Sequence, residues 1–329
     1  MMRSLASGSA KLLRSSLRRV AFLCAPLVAT CLIGMSSAGC AGNSDTPGTP
    51  RAFSSPDEAA IALADAIRAD DTNALLAIMG TEGEQIVSSG DEFDDRSRRQ
   101  TFLALYEKKH ALANEGPDLR TLVVGEASWP FPVPIVRDGE SWFFDAEAGR
   151  EEILNRRIGE HELAAIQVCK AIGDAQQEYA MMDPDRDGVR EFARKFVSDP
   201  DTRNGLFWRS GEGESPSPLG DMAAAASAEG YSRRAEGPTP YHGYYYRVLE
   251  AQGPDAPGGA VQYVVNGKMI LGFGVLAYPA EYGSSGITTF IMNAEGTVYQ
   301  KDLGADTAKL VAEIRAFDPG PGWTLTDRS

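Results

Sequence analysis

Cysteine and histidine are scarce, which removes much of the usual redox and metal chemistry. The 329 residues include four cysteines and three histidines. Three cysteines lie near the amino terminus: Cys24, Cys31 and Cys40. The remaining thiol, Cys169, stands alone, and we expect it to be a small buried apolar residue. The chain beyond residue 40 therefore permits neither an intrachain disulfide nor a cysteine metal site. The histidines have no partner at metal-ligand spacing on one helix face, so we expect surface or boundary positions for them: His110, His161 and His242.

Basic residues are also few relative to acids. The chain has 32 Lys and Arg against 46 Asp and Glu, for a formal net charge of −14. An acidic protein repels phosphate backbones and anionic lipid surfaces, so nucleic-acid binding is excluded as the main activity. Beyond the first forty residues the sequence contains no apolar run long enough to span a bilayer.

The first 39 residues have a different composition from the rest. They carry five basic residues and no acid, and residues 20–35 form an apolar run. That run is too short for a membrane span and is typical of a signal-peptide core. We therefore predict a signal peptide at residues 1–39 and export to the periplasm. Cleavage would take the net charge from −14 to −19, because it removes five basic residues and no acids.

Residues 36–40 read SSAGC. Small residues ahead of a cysteine resemble the bacterial lipobox, which implies that Cys40 is lipidated and becomes the first residue of the mature chain. A tether rich in Ser, Gly, Pro and Thr follows at residues 40–53. Ala41, where sorting logic would place Asp for inner-membrane retention, favours the outer membrane. Ordinary cleavage near Ala41, which would release a freely secreted chain, is the alternative.

Residues 54–148 predict an amino-terminal α+β domain. Apolar residues recur at helical spacing after a Ser-Pro start, and a second short helix precedes a third one in residues 94–116. Short strand-like runs follow at residues 120–125, 132–136 and 141–145. The last two runs are joined by the turn sequence RDGE, which predicts a small antiparallel sheet.

Residues 149–318 predict a second domain, with residues 319–329 as a tail. Residues 149–182 carry the longest helical signal, which Gly159 is expected to break in two. A short helix is predicted at residues 189–197 and a final helix at residues 306–317. Between them lie a small-residue helix and several strand-like runs with turns at NGK and NAEG.

The carboxyl half resembles the soluble domain of pseudopilins over residues 160–304. The motifs that carry this resemblance are AQQEYA, GYYY and TTFIMNAEGTVYQKDLG. The resemblance implies a long helix packed on an antiparallel sheet. The fold class we expect is therefore α+β: amino-terminal helices with a small antiparallel sheet, followed by a long helix on a second antiparallel sheet.

The chain as a whole resembles a family of bacterial exported proteins, domain-of-unknown-function family 2950, over residues 54–318. The motifs that carry it are VSSGD, WPFPVPIVRDG, EEILNRRIGEHELAAIQVC, YHGYYYRVL, YVVNGKMILGF, YPAEYGSSGITTFIMN and VYQKDLG. The resemblance supplies placement in a family and implies no activity.

The stretch DPDRDGVRE has the alternating acids of a calcium loop. Its candidate ligands are Asp183, Asp185, Asp187 and Glu191, and Gly188 permits the sharp turn. The twelfth position, where an EF-hand needs a bidentate acid, is Arg194. A bound calcium would therefore be structural and weak. The alternative is that the acids only end one helix and cap the next.

The stretch YHGYYYR is the candidate recognition surface, with Tyr241, Tyr244 and Tyr246 as its residues. Tyrosine buries ring area while its hydroxyl stays wet, which suits recognition of peptides, glycans or proteins. Strand alternation sends Tyr244 and Tyr246 to one face and Tyr245 to the other. At least one face is therefore core, and core packing with a partly exposed edge is the preferred interpretation.

No catalytic residue and no cofactor other than the candidate calcium follows from the sequence. The leading hypothesis is a lipid-anchored, non-catalytic envelope protein that binds or scaffolds an envelope protein or a small ligand. One alternative is a periplasmic hydrolase or ligand-processing enzyme with a cleft between domains, using Glu160 and Glu162 as acid and base. Another is an adaptor of a secretion or pilus-like system, which rests on the fold resemblance alone.

Overall fold

A group of helices opens the described part of the chain, which covers residues 48–211, 213–232 and 238–326 of this computed structural model. The helices are α1 (Pro56–Arg68), α2 (Thr72–Met79), a 3-10 turn (Thr81–Gly83), α3 (Glu84–Val87) and α4 (Glu92–Lys108). Side chains cap three of their starts: the Ser55 hydroxyl accepts from the Glu58 N–H, and Asp71 and Asp91 cap α2 and α4. The helical start predicted at Ser-Pro is thus confirmed.

A small antiparallel sheet follows these helices. Its strands are β1 (His110–Gly116), β2 (Leu119–Val124), β3 (Trp129–Pro130), β4 (Ile135–Asp138) and β5 (Ser141–Phe144), in the order β1-β2-β4-β5 with β3 beside β2. The prediction of helix to residue 116 was wrong, because α4 ends at Lys108 and the next residues pair with β2. Lys109 already has an extended backbone. Cross-strand pairing overrides the helix propensity of the Ala and Leu residues in this stretch.

Helix α5 (Ala146–Met182) is one continuous helix of 37 residues. The predicted break at Gly159 was wrong. A glycine inside a helix costs about 1 kcal/mol relative to alanine, and burial of α5 residues on both sides of Gly159 offsets that cost. The helix crosses the predicted domain boundary at residue 148, and the described residues cluster as one compact unit. The division at that boundary stays a prediction.

The segment after α5 forms no helix at residues 189–197, so that prediction was also wrong. Phe192 and Val197 instead form isolated bridges with Met269 and Phe207. The buried amide of Gln176 on α5 bonds both backbone groups of Ala193, at 2.7 Å and 2.8 Å. These side-chain bonds replace the backbone partners that a helix would have supplied. A short helix, α6 (Gly220–Ala228), comes next.

A second antiparallel sheet completes the fold. The remaining elements are β6 (Tyr244–Leu249), β7 (Ala251–Gln252), β8 (Val261–Gln262), β9 (Val264–Val265), β10 (Lys268–Met269), β11 (Gly274–Pro279), β12 (Thr288–Asn293), β13 (Val298–Asp302), α7 (Thr307–Val311) and β14 (Thr324–Leu325). The main sheet has the order β14-β13-β12-β11-β6, so β6 is its last strand on one side. Helix α7 covers only part of the predicted residues 306–317.

Helix α5 packs on this second sheet through a shared core. Cys169, Ile172 and Ala175 of the helix lie in one buried cluster with Val275 of β11 and Met292 of β12. This confirms the α+β class and the predicted arrangement, in which a long helix lies on the second antiparallel sheet. A separate cluster of buried residues lies among α1, α2, α4 and the first sheet. Among the described helices, none combines the length and apolarity needed to cross a membrane.

Candidate functional site

A groove of about 1710 Å³ opens between the carboxyl half of α5, residues 184–209, α6 and the start of β6. We call it the tyrosine groove. Its aromatic lining consists of Tyr179, Phe196, Phe207, Trp208, Tyr231, Tyr241, Tyr245 and Tyr246. Sites for drug-sized molecules typically measure about 300–1,000 Å³. The tyrosine groove is therefore large enough for a ligand longer than a typical small molecule.

The structure separates the three tyrosines proposed from the sequence as a recognition surface. Tyr241 and Tyr246 are partly buried and line the tyrosine groove. Tyr244 is fully buried, and its hydroxyl donates to the Thr288 carbonyl at 2.9 Å. Tyr244 therefore supports the wall from beneath and cannot contact a ligand, which corrects its place in the candidate surface. Tyr245, on the opposite strand face, also lines the groove and was missed.

The groove hydroxyls are neutral hydrogen-bond donors that hold the walls in place. Burial raises the pKa of Tyr246 well above its ordinary value and raises that of Tyr179 to about 12. The Tyr179 hydroxyl donates to the Arg203 carbonyl at 2.9 Å, and that of Tyr246 donates to the Tyr241 carbonyl at 3.3 Å. These bonds tie α5 and β6 to the loops that form the other walls.

Trp208 contributes its indole ring to the groove lining. The residue is 7% exposed, and its indole Nε1–H has no acceptor among the described residues. The Arg203 guanidinium lies over the indole ring, 5.5 Å from its centroid. A buried donor without an acceptor costs about 1–3 kcal/mol. The nitrogen is closed off from the groove surface, so the indole contributes ring area and not a donor to the lining.

The charges on the rim of the groove are unevenly paired. Most rim acids have a cation partner: Asp185 and Glu191 with Lys268, Asp199 with Lys195, and Glu214 with Arg203. Arg186 and Arg209 are exposed and make no ion pair within the described ranges. Asp201 is an exposed rim acid that also makes no ion pair with a described residue. In a protein with net charge −14, two unpaired arginines make this rim locally receptive to carboxylates.

The predicted calcium ligands do come together, but a lysine joins them. Oxygen atoms of Asp183, Asp185 and Asp187 lie within 4.8 Å of one another. The Lys268 ammonium lies 2.8 Å from Asp185 Oδ2 and 3.2 Å from Glu191 Oε1, and it also contacts Asp187. The hydrogen bonds that the ammonium donates to these carboxylates raise the pKa of Lys268. Calcium binding would therefore need the ammonium to move aside, and the calcium site stays a prediction.

A buried polar network, which the sequence did not predict, joins α4 to α5. The His161 ring is 2% exposed, with Nε2 lying 2.9 Å from Asp94 Oδ2 and Nδ1 lying 2.9 Å from the Ser285 carbonyl. The ring therefore joins a carboxylate of α4 and a backbone carbonyl near β12 to α5. The expectation of a surface or boundary position for His161 was wrong.

Asp91 extends this network to the groove wall. One carboxylate oxygen caps α4 by accepting from the Phe93 and Asp94 N–H groups. The other accepts from the Tyr231 hydroxyl at 3.0 Å and from the Gly243 N–H at 2.9 Å. Asp91 therefore fixes the position of a groove residue and of the turn before β6. The motif SSGD ahead of an amphipathic helix was the available sequence signal, since Asp is a preferred cap.

The carboxylates of the enzyme alternative do not share a site. Glu160 Oε2 accepts from Arg98 Nη1 at 2.7 Å, whereas Glu162 Oε1 accepts from the Ile287 and Thr288 N–H groups at 3.1 Å and 3.0 Å. Residues two apart on a helix point to different sides. Each group therefore has a separate structural role, and their positions do not support an acid and base pair.

The two remaining cysteine predictions have different outcomes. Cys169 is fully buried, and burial raises the pKa of its thiol to about 12, as expected of a small apolar core residue. Cys40, the predicted lipidation site, lies outside the described residues.

Comparison with known proteins places the chain in a family. No curated protein and no solved structure matches it, so the pseudopilin resemblance stays a prediction. The family described as "Protein of unknown function (DUF2950)" matches residues 50–326, which include both sheets, α5 and every residue of the tyrosine groove. The match confirms the family that the sequence motifs indicated, and the chain belongs to the DUF2950 family.

Proposed function

We propose that this protein is an exported, lipid-anchored envelope protein that binds a partner molecule in the tyrosine groove without catalysing a reaction on it. The observation that carries the proposal is the groove itself. Its walls combine tyrosine and tryptophan rings with unpaired arginines on the rim. Rings that bury area at low entropic cost, beside a few polar groups that fix orientation, are the usual make-up of a recognition site.

The envelope part of the proposal is supported by the amino-terminal sequence. Five basic residues and an apolar run at residues 20–35 precede the lipobox-like SSAGC. The predicted tether at residues 40–53 is too long, because Phe53 is buried and exchanges two backbone hydrogen bonds with Trp142, and the Gly48 carbonyl accepts from the Thr81 N–H. A tether in the residues ahead of Gly48 would give an anchored domain its reach toward partners near a membrane surface. The acidic balance of the chain agrees with this, because a single lipid and not a charged surface would hold it at the membrane.

The groove has the features of a site that holds a ligand and lacks the pairing that would act on it. Tyr179 and Tyr246 have raised pKa values and donate their hydroxyl hydrogens to backbone carbonyls, so neither is poised as a base. Of the rim carboxylates, only that of Asp201 is without a lysine or arginine partner among the described residues. We therefore assign the groove a role in binding and give the enzyme alternative no residue in it.

The test compares matched tyrosine variants in intact envelopes. Wild type, Tyr241→Ala and Tyr282→Ala are crosslinked in the bacterium that makes the protein and then purified through an affinity tag. Tyr241 lines the groove, whereas Tyr282 lies outside it, with its hydroxyl 3.1 Å from Asp302. The proposal predicts a discrete adduct that is lost in Tyr241→Ala and kept in Tyr282→Ala. Equal recovery with both variants, or no adduct with any of the three, contradicts it.

A further inference from the structure

The outer edge of β6 has no strand partner, because β6 is the last strand of its sheet and pairs only with β11. Alternate residues of an antiparallel strand point their N–H and C=O groups to the same side. Tyr244 exchanges two backbone hydrogen bonds with Tyr241 on the side away from β11. At the far end of the strand, the Glu250 carbonyl accepts from the Tyr263 N–H on that same side.

Between these two ends of β6, the backbone groups of two residues lack partners on the outer edge. By the same alternation, the backbone N–H and C=O groups of Tyr246 and Val248 point to the outer edge. No backbone hydrogen bond of either residue on that side is present among the described residues. Both residues are only partly buried. An edge strand with unpaired backbone groups is a template on which another strand can form.

The tyrosine groove reaches this edge at Tyr246, and Val248 lies beyond its lining, two residues further along β6. Tyr245 and Tyr246 are neighbours in β6 and point to opposite faces of the sheet, yet both line the groove. A cavity that contacts both faces of a strand must pass its edge. A peptide lying there would bond the backbone of Tyr246 and Val248. Its alternate side chains would then enter the aromatic walls on either face.

The rim indicates the charge of the occupant. Three exposed groove residues are without ion pairs in the described part of the chain: the cations Arg186 and Arg209 and the acid Asp201. The unpaired rim charges therefore sum to one positive charge. Carboxylates of a ligand are the groups that such arginines pair with.

We propose that the tyrosine groove binds an extended, acidic peptide segment of another protein, which adds to the outer edge of β6 as a further strand. The proposal rests on the binding role assigned to the groove and names the class of its ligand. Main-chain bonds to Tyr246 and Val248 would supply affinity, and the aromatic walls and rim arginines would supply selectivity.

The test uses phage-displayed random heptapeptides selected on the complete mature chain. The enriched sequence is synthesised, and its backbone nitrogens are methylated one at a time. In a strand that pairs on one side, only alternate N–H groups face β6. Methylation at the alternate positions that face β6 is therefore expected to weaken binding about tenfold or more, because each removes one backbone hydrogen bond from a dry site. Methylation at the other positions is expected to weaken binding about twofold or less.

Two protein variants probe the same contacts. Val248→Pro removes an N–H that points away from β11, a position where proline is tolerated in an edge strand. It is expected to keep the circular dichroism spectrum of the wild type and to weaken the peptide about tenfold or more. Arg209→Ala is expected to weaken an acidic peptide about two- to fivefold, and to remove part of its salt dependence. If Val248→Pro does not fold, the alternation in the methylation scan tests strand addition by itself.

The outcomes separate this proposal from the function it rests on. Groove binding that Tyr241→Ala abolishes, but that shows no alternation in the methylation scan, overturns strand addition and leaves the binding role intact. Enrichment of basic peptides overturns the assigned charge. A concentration-dependent dimer of the chain that Val248→Pro abolishes shows that a second copy occupies the edge, and also overturns the proposal. If neither peptide selection nor envelope crosslinking finds a ligand at the groove, both proposals fail.

Discussion

His161 Nε2 on α5 lies 2.9 Å from Asp94 Oδ2 on α4. The same buried ring reaches the Ser285 carbonyl through its other nitrogen. One imidazole therefore links the amino-terminal helices to the long helix and to the loop before β12. Because Asp91, three residues from Asp94, binds the turn that precedes β6, the network also fixes the edge of the tyrosine groove.

Replacing Asp94 with Asn should destabilise the fold in a pH-dependent way. Burial raises the pKa of Asp94, but the bonds from His161 and Arg98 outweigh it and hold the pKa at about 2. An acid whose folded pKa is depressed stabilises the fold above its unfolded pKa, near 3.9, and loses that contribution as pH falls toward the folded value. Asp94→Asn should therefore lose about 2 kcal/mol of unfolding free energy at pH 7.

Urea unfolding of wild type and variant from pH 7 down to pH 2 measures this effect. The difference between the two proteins should shrink between about pH 4 and pH 2. Burial raises the pKa of Asp95, so Asp95 changes the stability in the opposite direction as pH falls. That contribution is present in both proteins and cancels in the difference between them. Asp174→Asn is the control, since Asp174 is an exposed acid of α5. A constant difference at every pH would contradict the assigned role of Asp94.

Gly243 should tolerate no side chain, for two separable reasons. Its φ is +73°, and a Cβ built there would lie 2.2 Å from His161 Nδ1. Gly296 has a φ of +79° and nothing within 4 Å of the same position. Gly296→Ala should therefore cost about 1 kcal/mol from backbone strain alone. Gly243→Ala should cost on the order of 3 kcal/mol or more, because the buried ring must also move. Equal losses in thermal unfolding of the two variants would show that the contact with His161 does not matter.

Calcium should stabilise a Lys268→Met variant more than the wild type. Removing the ammonium leaves Asp183, Asp185 and Asp187 close together without their cation. Carboxylates in this arrangement suit calcium in the millimolar range of extracellular modules. We expect Lys268→Met to melt at a lower temperature without calcium and to recover when millimolar calcium is added. Lys309→Met, which alters an exposed lysine of α7, is the control. No response to calcium in Lys268→Met would end the proposal of a cation site.

Cys40→Ala should abolish lipidation if the lipobox-like motif is used. Growth with a labelled fatty acid should label the wild-type protein and leave the variant unlabelled, while both are exported. The variant should then move from the membrane fraction to the soluble periplasmic fraction, because the tether holds no other anchor. Labelling of neither protein would support ordinary cleavage near Ala41 and release of the chain.

Local sequence rules predicted the elements whose own residues decide their structure. Ser55 and Pro56 set the start of α1, and the turn sequence between β4 and β5 set their hairpin pairing. The α+β class followed from the order of these elements. The acids at residues 183–187 were also brought together as their spacing indicated.

The sequence-based predictions failed where contacts with residues distant in the chain determine the local structure. Residues 110–116 became a strand because β2 offers them a partner, and residues 189–197 lost their helix because Gln176 and Met269 take their backbone bonds. Lys268 lies 81 positions beyond Asp187, so its place among the acids had no local signal. Tyr244 was misplaced because alternation gives its strand face, whereas its depth depends on the packing of α5 above it.

The most direct test of the binding role places a photo-crosslinking amino acid at Val197 in the living bacterium. Val197 lines the tyrosine groove and is 44% exposed, whereas Leu163 lies outside it and is 66% exposed. The account predicts a discrete adduct from position 197, none from position 163, and loss of the adduct when Tyr241→Ala is added. Equal crosslinking from both positions, or an adduct that survives Tyr241→Ala, would show that the groove does not bind the partner.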